Sequence, residues 1–345
     1  MLPDGRIVVT GGAGFIGSAL IWGLNQQGVD RILVSDRLDR TEKWRNLSGL
    51  RFEDYVEADD LLARCSDSGG AFGEVSAIFH LGACSSTTET DMAFLIRNNF
   101  EYSKQMAVWS ERLKARFVYA SSAATYGALE GVVKETVSLD SLRPLNAYAF
   151  SKHLFDCWAQ RTGVLERSVG VKYFNMFGPN EDHKGDMRSM VNKAYHQIRD
   201  TGCVGLFKSH RAGFRDGEQL RDFLYVKDAV AMTLFLASAE SAHGLYNLGS
   251  GRASTWLELV TPVFETCSLP ARIEFIEMPE MLRGKYQYHT CASIEKLRQS
   301  GYQQPITPLD DAVTEYVRNY LLSGHRLAQD QAPGGQATAS TTRQA

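Results

Sequence analysis

The segment Thr10-Gly11-Gly12-Ala13-Gly14-Phe15-Ile16-Gly17 constrains the fold of this chain more than any other. It lies between an apolar run, Ile7–Thr10, and a stretch of helical periodicity, Ile16–Gln27. Its glycines satisfy both G-x-G-x-x-G and G-x-x-G-x-x-G spacings. Such glycines permit a turn too sharp for side chains and let backbone amides approach a pyrophosphate at a helix N-terminus. A second apolar run, Arg31–Ser35, ends at Asp36, nineteen residues beyond Gly17. A carboxylate at that point accepts the ribose 2′-hydroxyl of NAD. Arg37 and Lys43 stand beside it and suit a 2′-phosphate, so spacing alone leaves NAD and NADP competing.

The first half continues the same alternation. Ala77–Leu81, Arg116–Ala120 and Val169–Phe174 read as further buried strands, and Asp91–Leu113 and Ala147–Arg161 as helices between them. Strand–helix alternation predicts right-handed crossovers and an α/β fold with a doubly wound parallel sheet of Rossmann type. After Pro179 the rhythm breaks into a polar stretch, 180–221, before strand character returns at Asp222–Val226 and Leu245–Leu248. We therefore expect two discontinuous lobes: a dinucleotide-binding domain of residues 1–174 and 222–248, and a smaller α/β substrate lobe of residues 175–221 and 249–324. Residues 325–345 lack an apolar period and are expected to form a disordered tail.

The bulk properties exclude several classes. A net charge of −3 gives no sequence-wide footprint for nucleic acid or a membrane surface. No apolar run reaches the ~20 residues that span a bilayer, and the N-terminus lacks a basic segment followed by an apolar one. The six cysteines are scattered without C-x-x-C pairing, which points to buried thiols and to no metal site. A cytoplasmic location is the expectation.

Chemistry enters with Tyr148-Ala149-Phe150-Ser151-Lys152, which sets a phenol and an ammonium on one helix face. A neighbouring cation stabilises phenolate and is expected to lower the tyrosine pKa. Upstream, Ser121-Ser122 ends a strand, where open α/β sheets place their ligands.

Taken together, the glycine turn, the Ser122 strand end and the Tyr148/Lys152 pair resemble the short-chain dehydrogenase/reductase family in its extended branch, which modifies sugar nucleotides. Arg221-Asp222-Phe223-Leu224-Tyr225-Val226-Lys227-Asp228 and Asn247-Leu248-Gly249-Ser250-Gly251 fit the same branch. The resemblance implies that Ser122 orients the reacting sugar oxygen, that Tyr148 is an acid/base, and that Lys152 holds the nicotinamide ribose. Ser122 is followed by Ala123 and Ala124 where a dehydratase needs acids, so an epimerase is favoured.

Within the branch, Cys84-Ser85-Ser86-Thr87-Thr88-Glu89, His183-Lys184-Gly185 and Leu282-Arg283-Gly284-Lys285-Tyr286-Gln287 are similar to the members that invert C6 of an ADP-heptose for lipopolysaccharide precursors. That likeness implies NADP as cofactor, with NAD the runner-up, an ADP-sugar as substrate, and a homo-oligomer, a pentamer by resemblance. It makes Lys184 a second acid/base opposite Tyr148. Cofactor positions carried over are Gly11, Gly14, Phe15, Ile16, Gly17, Asp36, Arg37, Lys43, Leu81, Gly82, Ala83, Cys84, Ser85, Asn98, Lys152, Met176 and Lys184. Substrate positions are Ser122, Asn175, Asp186, Lys193, Phe207, Lys208, Ser209, His210, Arg221 and Tyr286. The alternatives are a UDP-hexose 4-epimerase or related sugar-nucleotide reductase and, in another class, a non-catalytic NAD(P)-binding sensor.

Overall fold

A computed structural model describes residues 4–66, 72–284 and 286–330. Lys285 and the end of the chain, residues 331–345, lie outside the described residues. The first half runs β1 (Arg6–Thr10), α1 (Phe15–Gln26), β2 (Ile32–Asp36), β3 (Asp54–Glu57), α2 (Ala58–Ser66), β4 (Val75–His80), α3 (Met92–Leu95), α4 (Tyr102–Leu113), β5 (Arg116–Ser122), β6 (Gly131–Val133), α5 (Ala147–Arg161) and β7 (Ser168–Tyr173). The second half runs β8 (Asn175–Phe177), α6 (Met190–Thr201), β9 (Val204–Phe207), β10 (Leu220–Tyr225), α7 (Val226–Ser238), β11 (Gly244–Leu248), β12 (Ala253–Thr255), α8 (Trp256–Thr266), β13 (Ile273–Ile276), α9 (Glu280–Arg283), β14 (Thr290–Ala292), α10 (Glu295–Gln299) and α11 (Leu309–Tyr316).

Seven strands form one parallel sheet in the order β11-β7-β5-β4-β1-β2-β3. Apart from the edge strand β3, which is half exposed, the strands are buried on both faces, and alternation divides their side chains between two cores. Ile7 and Val9 enter one core with α1 and α7, while Val8 enters the other with α2, α4 and α5. The chain winds outward from β1 in one direction through β2 and β3, and in the other through β4, β5, β7 and β11. The strand order therefore reverses between β1 and β4, and a crevice opens there beyond the carboxyl ends of the strands.

Three expectations are corrected by the structure. Asp91–Leu113 is not one regular helix, because a π-helical turn, Ile96–Glu101, separates α3 from α4. The turn carries Asn99, whose amide holds both Cys84 backbone groups, at 2.8 Å to its nitrogen and 3.0 Å to its oxygen. β10 stands outside the central sheet, pairing with β8 and β12 in a sheet of three. Residues 325–330 are not disordered: Leu327 is fully buried, and its amide donates to Asn180 Oδ1 at 3.3 Å. One leucine is too little periodicity to register in sequence, yet it fills a core position.

Candidate active site

The crevice becomes a cleft of about 1010 Å³ running from the glycine turn, past the ends of β4 and β5, to the second lobe. At its dinucleotide end the turn admits no side chain at Gly11 or Gly17. A Cβ on Gly17 would lie 2.0 Å from the Gly11 carbonyl oxygen. One on Gly11, whose φ is +68°, would lie 2.6 Å from the Gly82 nitrogen. Chain ends of β1 and β4 thus touch through two glycines, leaving a bare backbone cradle that fits a pyrophosphate.

Asp36 closes this end. Its carboxylate accepts from the Ala13 amide at 2.9 Å, the Arg37 amide at 2.7 Å and Lys43 Nζ at 2.8 Å. Gly14, Phe15, Ile16, Leu81, Gly82, Ala83, Cys84, Ser85 and Met176 line the cleft as the sequence led us to expect. Arg37 and Asn98 do not. They hydrogen-bond each other, and Arg37 also pairs with Asp59, around a neighbouring recess of about 430 Å³.

The mid-cleft wall is built by β5 and α5. Ser122 is the last residue of β5, and its hydroxyl caps the next turn by accepting the Ala124 amide at 3.1 Å. Asn146 caps α5 by accepting the Ala149 amide at 2.8 Å, which places Tyr148 in the first helical turn, facing Ser122. Lys152, one turn later, donates to the Ala120 carbonyl at 2.9 Å. Burial lowers its pKa to about 8 despite the opposing charges of Asp156 and Cys84. Here the sequence expectation is corrected. Tyr148 is pushed up, not down, because burial of the phenol outweighs the Ser122 hydrogen bond that favours phenolate.

Behind this wall lies an ion pair that the sequence reading missed. Lys172 of β7 meets Asp156 of α5 at 2.7 Å, and both are almost fully buried. Asp156 also accepts from Ser121 at 2.7 Å and from Tyr119 at 3.0 Å, so one carboxylate fastens α5 to β5 and β7. Asp156 follows Lys152 by one turn, a spacing that would have marked it as a partner on the helix.

The far wall belongs to the second lobe. Lys184 presents its amine 5.3 Å from the Phe15 ring centre and borders the cleft with Lys193. Burial lowers its pKa, Glu181 opposes that shift and Lys193 adds to it. Arg221 is only 8% exposed, and its guanidinium is stacked between Trp256 at 5.8 Å and Tyr286 at 4.8 Å. Its one hydrogen bond among the described residues goes to the Leu220 carbonyl. A buried guanidinium without a carboxylate partner is suited to a diphosphate. Phe207 and Asn175 also line the cleft.

Four expected substrate positions do not line it. Asp186 is exposed beyond the rim. Lys208 and His210 both turn to Glu277, at 2.9 and 3.3 Å. Ser209 bonds Asp216 through its amide and Arg211 through its hydroxyl. Trp256 and Gln197 line the cleft without having been singled out in the sequence, and His183, quoted there only as part of its motif, lines it too. Trp256 lies within a Thr255/Glu258 capping box, which marks a helix start but gives no hint of its orientation.

A family model described as NAD dependent epimerase/dehydratase matches residues 7–249. Over 315 residues the chain is 48% identical to ADP-L-glycero-D-manno-heptose-6-epimerase of Nitratidesulfovibrio vulgaris strain DP4, covering 91% of this chain and 97% of that protein. A protein of the same name from Fusobacterium nucleatum is 42% identical over 327 residues, covering 91% and 98%. Among solved structures, the Helicobacter pylori protein of that name superposes with a TM-score of 0.78 at 26% identity, covering 92% of this chain and 96% of that one. A UDP-N-acetylglucosamine 4-epimerase from Methanobrevibacter ruminantium shares the fold, with a TM-score of 0.77 at 22% identity over 93% and 99%. A glycine cradle at the switch point and a Ser–Tyr–Lys wall facing a basic second lobe are what such a likeness requires, and this chain belongs to the NAD dependent epimerase/dehydratase family.

Proposed function

We propose that the protein inverts C6 of ADP-D-glycero-D-manno-heptose, giving ADP-L-glycero-D-manno-heptose for lipopolysaccharide precursors. The observation that carries this reading is near full-length identity of 42–48% to proteins named for that reaction. A second acid/base candidate, Lys184, on the cleft wall supports it. When bound, a nicotinamide dinucleotide supplies reversible hydride transfer at the sugar carbon.

The side chains supply the rest. Inverting a carbinol carbon requires a proton to leave the hydroxyl on one side and return from the other. Tyr148, polarised by Ser122, serves one face, and Lys184 serves the other. Lys152 holds the ribose, and Arg221 and Lys193 take the diphosphate of the ADP-sugar. The stacking of Arg221 between two aromatic rings keeps its planar fork oriented for bidentate donation.

We assign NADP over NAD, because Lys43 stands against Asp36 at the ribose end and adds a cation where a 2′-phosphate would lie. Arg37, held by Asn98 and Asp59, is next to it. No described helix is long and apolar enough to cross a membrane. A cytoplasmic homo-oligomer, pentameric by resemblance, completes the proposal, and sedimentation velocity tests the assembly.

Turnover decides the substrate. The purified protein is expected to convert ADP-D-glycero-D-manno-heptose and to leave UDP-galactose unchanged. Tyr148→Phe is expected to lose roughly 10²–10⁴-fold in kcat while still binding NADP. Full activity in that variant, or preferential turnover of UDP-galactose, would overturn the reading.

A further inference from the structure

Lys184 sits in a short turn, Asp182–Met187, whose first backbone bond runs from its amide to the Glu181 carbonyl at 3.0 Å. Glu181 is fully buried. Its carboxylate accepts from the Ser189 amide at 2.5 Å, the Ser189 hydroxyl at 2.6 Å, the Tyr316 hydroxyl at 3.0 Å and the Gly178 amide at 3.4 Å. All four donors are neutral. No cation makes an ion pair with it among the described residues. A buried carboxylate compensated only by neutral donors costs several kcal/mol unless a charge lies close. The cation that acts on it is Lys184.

We propose that Glu181 is the counter-charge of Lys184: a positioning residue, out of contact with substrate, that keeps the Lys184 amine protonated on the cleft wall. The proposal rests on Lys184 serving as the second acid/base group. Four elements converge on the pair. Lys184 faces the uncharged Phe15 ring of α1 and the like charge of Lys193 on α6. Tyr316 of α11 donates to Glu181, and Asp182 of the same turn acts on Tyr316. His183, beside Lys184, faces Lys43, Asp36 and Asp182, and burial lowers its pKa to about 4, so it adds no charge near neutrality.

Burial pushes both members of the pair toward their neutral forms, and each charge resists that in the other. With Lys193 also repelling, Glu181 is the one charge acting on Lys184 that favours its ammonium form.

The coupling is read directly in enzyme labelled with ¹³C at lysine Cε, the Lys184 signal being assigned by its loss in Lys184→Met. In Glu181→Gln, which keeps the shape and removes the charge, the Lys184 midpoint is expected to fall by about one pH unit. Coupling between two sites is reciprocal. In Lys184→Met the Glu181 carboxyl, followed through its ¹³Cδ signal, is therefore expected to titrate about one unit higher. This second measurement decides the matter should Glu181→Gln not fold. A merely structural carboxylate predicts midpoints within about 0.2 unit of the wild type in both experiments, and that result sinks the proposal. Turnover of Lys184→Met separates the two levels: wild-type activity would remove the acid/base role while leaving the measured coupling intact.

Discussion

His80 shows how far a single residue here is ruled by burial. It ends β4 opposite Thr10 and bridges Thr10 Oγ1 at 2.8 Å to Ser103 Oγ at 2.9 Å. Burial, aided by the Lys152 charge, lowers its pKa to about 3. Between pH 6.5 and 3 the unfolded chain therefore binds a proton that the folded chain refuses, and stability must fall as pH falls through that window. We expect His80 to contribute a slope of about 1.4 kcal/mol per pH unit there, measured as the free energy of urea unfolding at successive pH values. His80→Gln should flatten the profile by that amount. An unchanged slope would mean that the ring is protonated in the fold. The same rule explains Tyr148, whose phenol is raised by burial although a lysine stands one turn away. The Tyr–x–x–x–Lys spacing was legible in sequence. The sign of the shift was not, because desolvation depends on atoms contributed by β5 and the second lobe.

At the scale of elements, α5 carries two of the proposed catalytic groups, and its seating decides their geometry. Its fastening to the sheet is the buried Asp156–Lys172 pair with Ser121 and Tyr119. Such a pair is weak evidence for net stability, but removing one partner strands the other charge. Asp156→Asn is therefore expected to cost about 3–5 kcal/mol in chemical denaturation. The double substitution Asp156→Leu/Lys172→Met should cost less than the single one. A single-variant cost below about 1 kcal/mol would show that water reaches the site. β1, β2, β4, β5 and β7 were readable because buried parallel strands are continuous apolar runs, whereas β3, α2 and β6 were not read from the sequence. The π turn at Ile96–Glu101 was not readable, since it inserts one residue into a pattern that still looks helical.

Across the whole molecule, the chain's last described turn closes on its first. Leu327 lies in the core cluster shared by α1 and α7, and Arg326 donates to Asn46 Oδ1 at 2.6 Å. Asn46 in turn donates to the Ala13 carbonyl of the glycine turn at 2.9 Å and to the Asn180 carbonyl at 3.1 Å. The C-terminal segment, the dinucleotide cradle and the loop carrying Lys184 thus share one set of hydrogen bonds. Leu327→Ala is expected to cost about 2–5 kcal/mol by opening a core cavity. Loss of NADP affinity should accompany a lowered Tm, because the same segment braces the glycine turn. A variant with wild-type Tm would show that the segment does not pack as described. The sequence by itself determined the alternating α/β architecture, the glycine cradle and the Ser122, Tyr148 and Lys152 wall, because these depend on local periodicity and on residues close in the chain. Only the tertiary structure decided that Lys208, Ser209 and His210 turn away from the cleft, that Trp256 stacks on Arg221, and that Glu181 lies behind Lys184. Those outcomes depend on which distant side chains share a buried volume, and no short stretch of sequence carries that information.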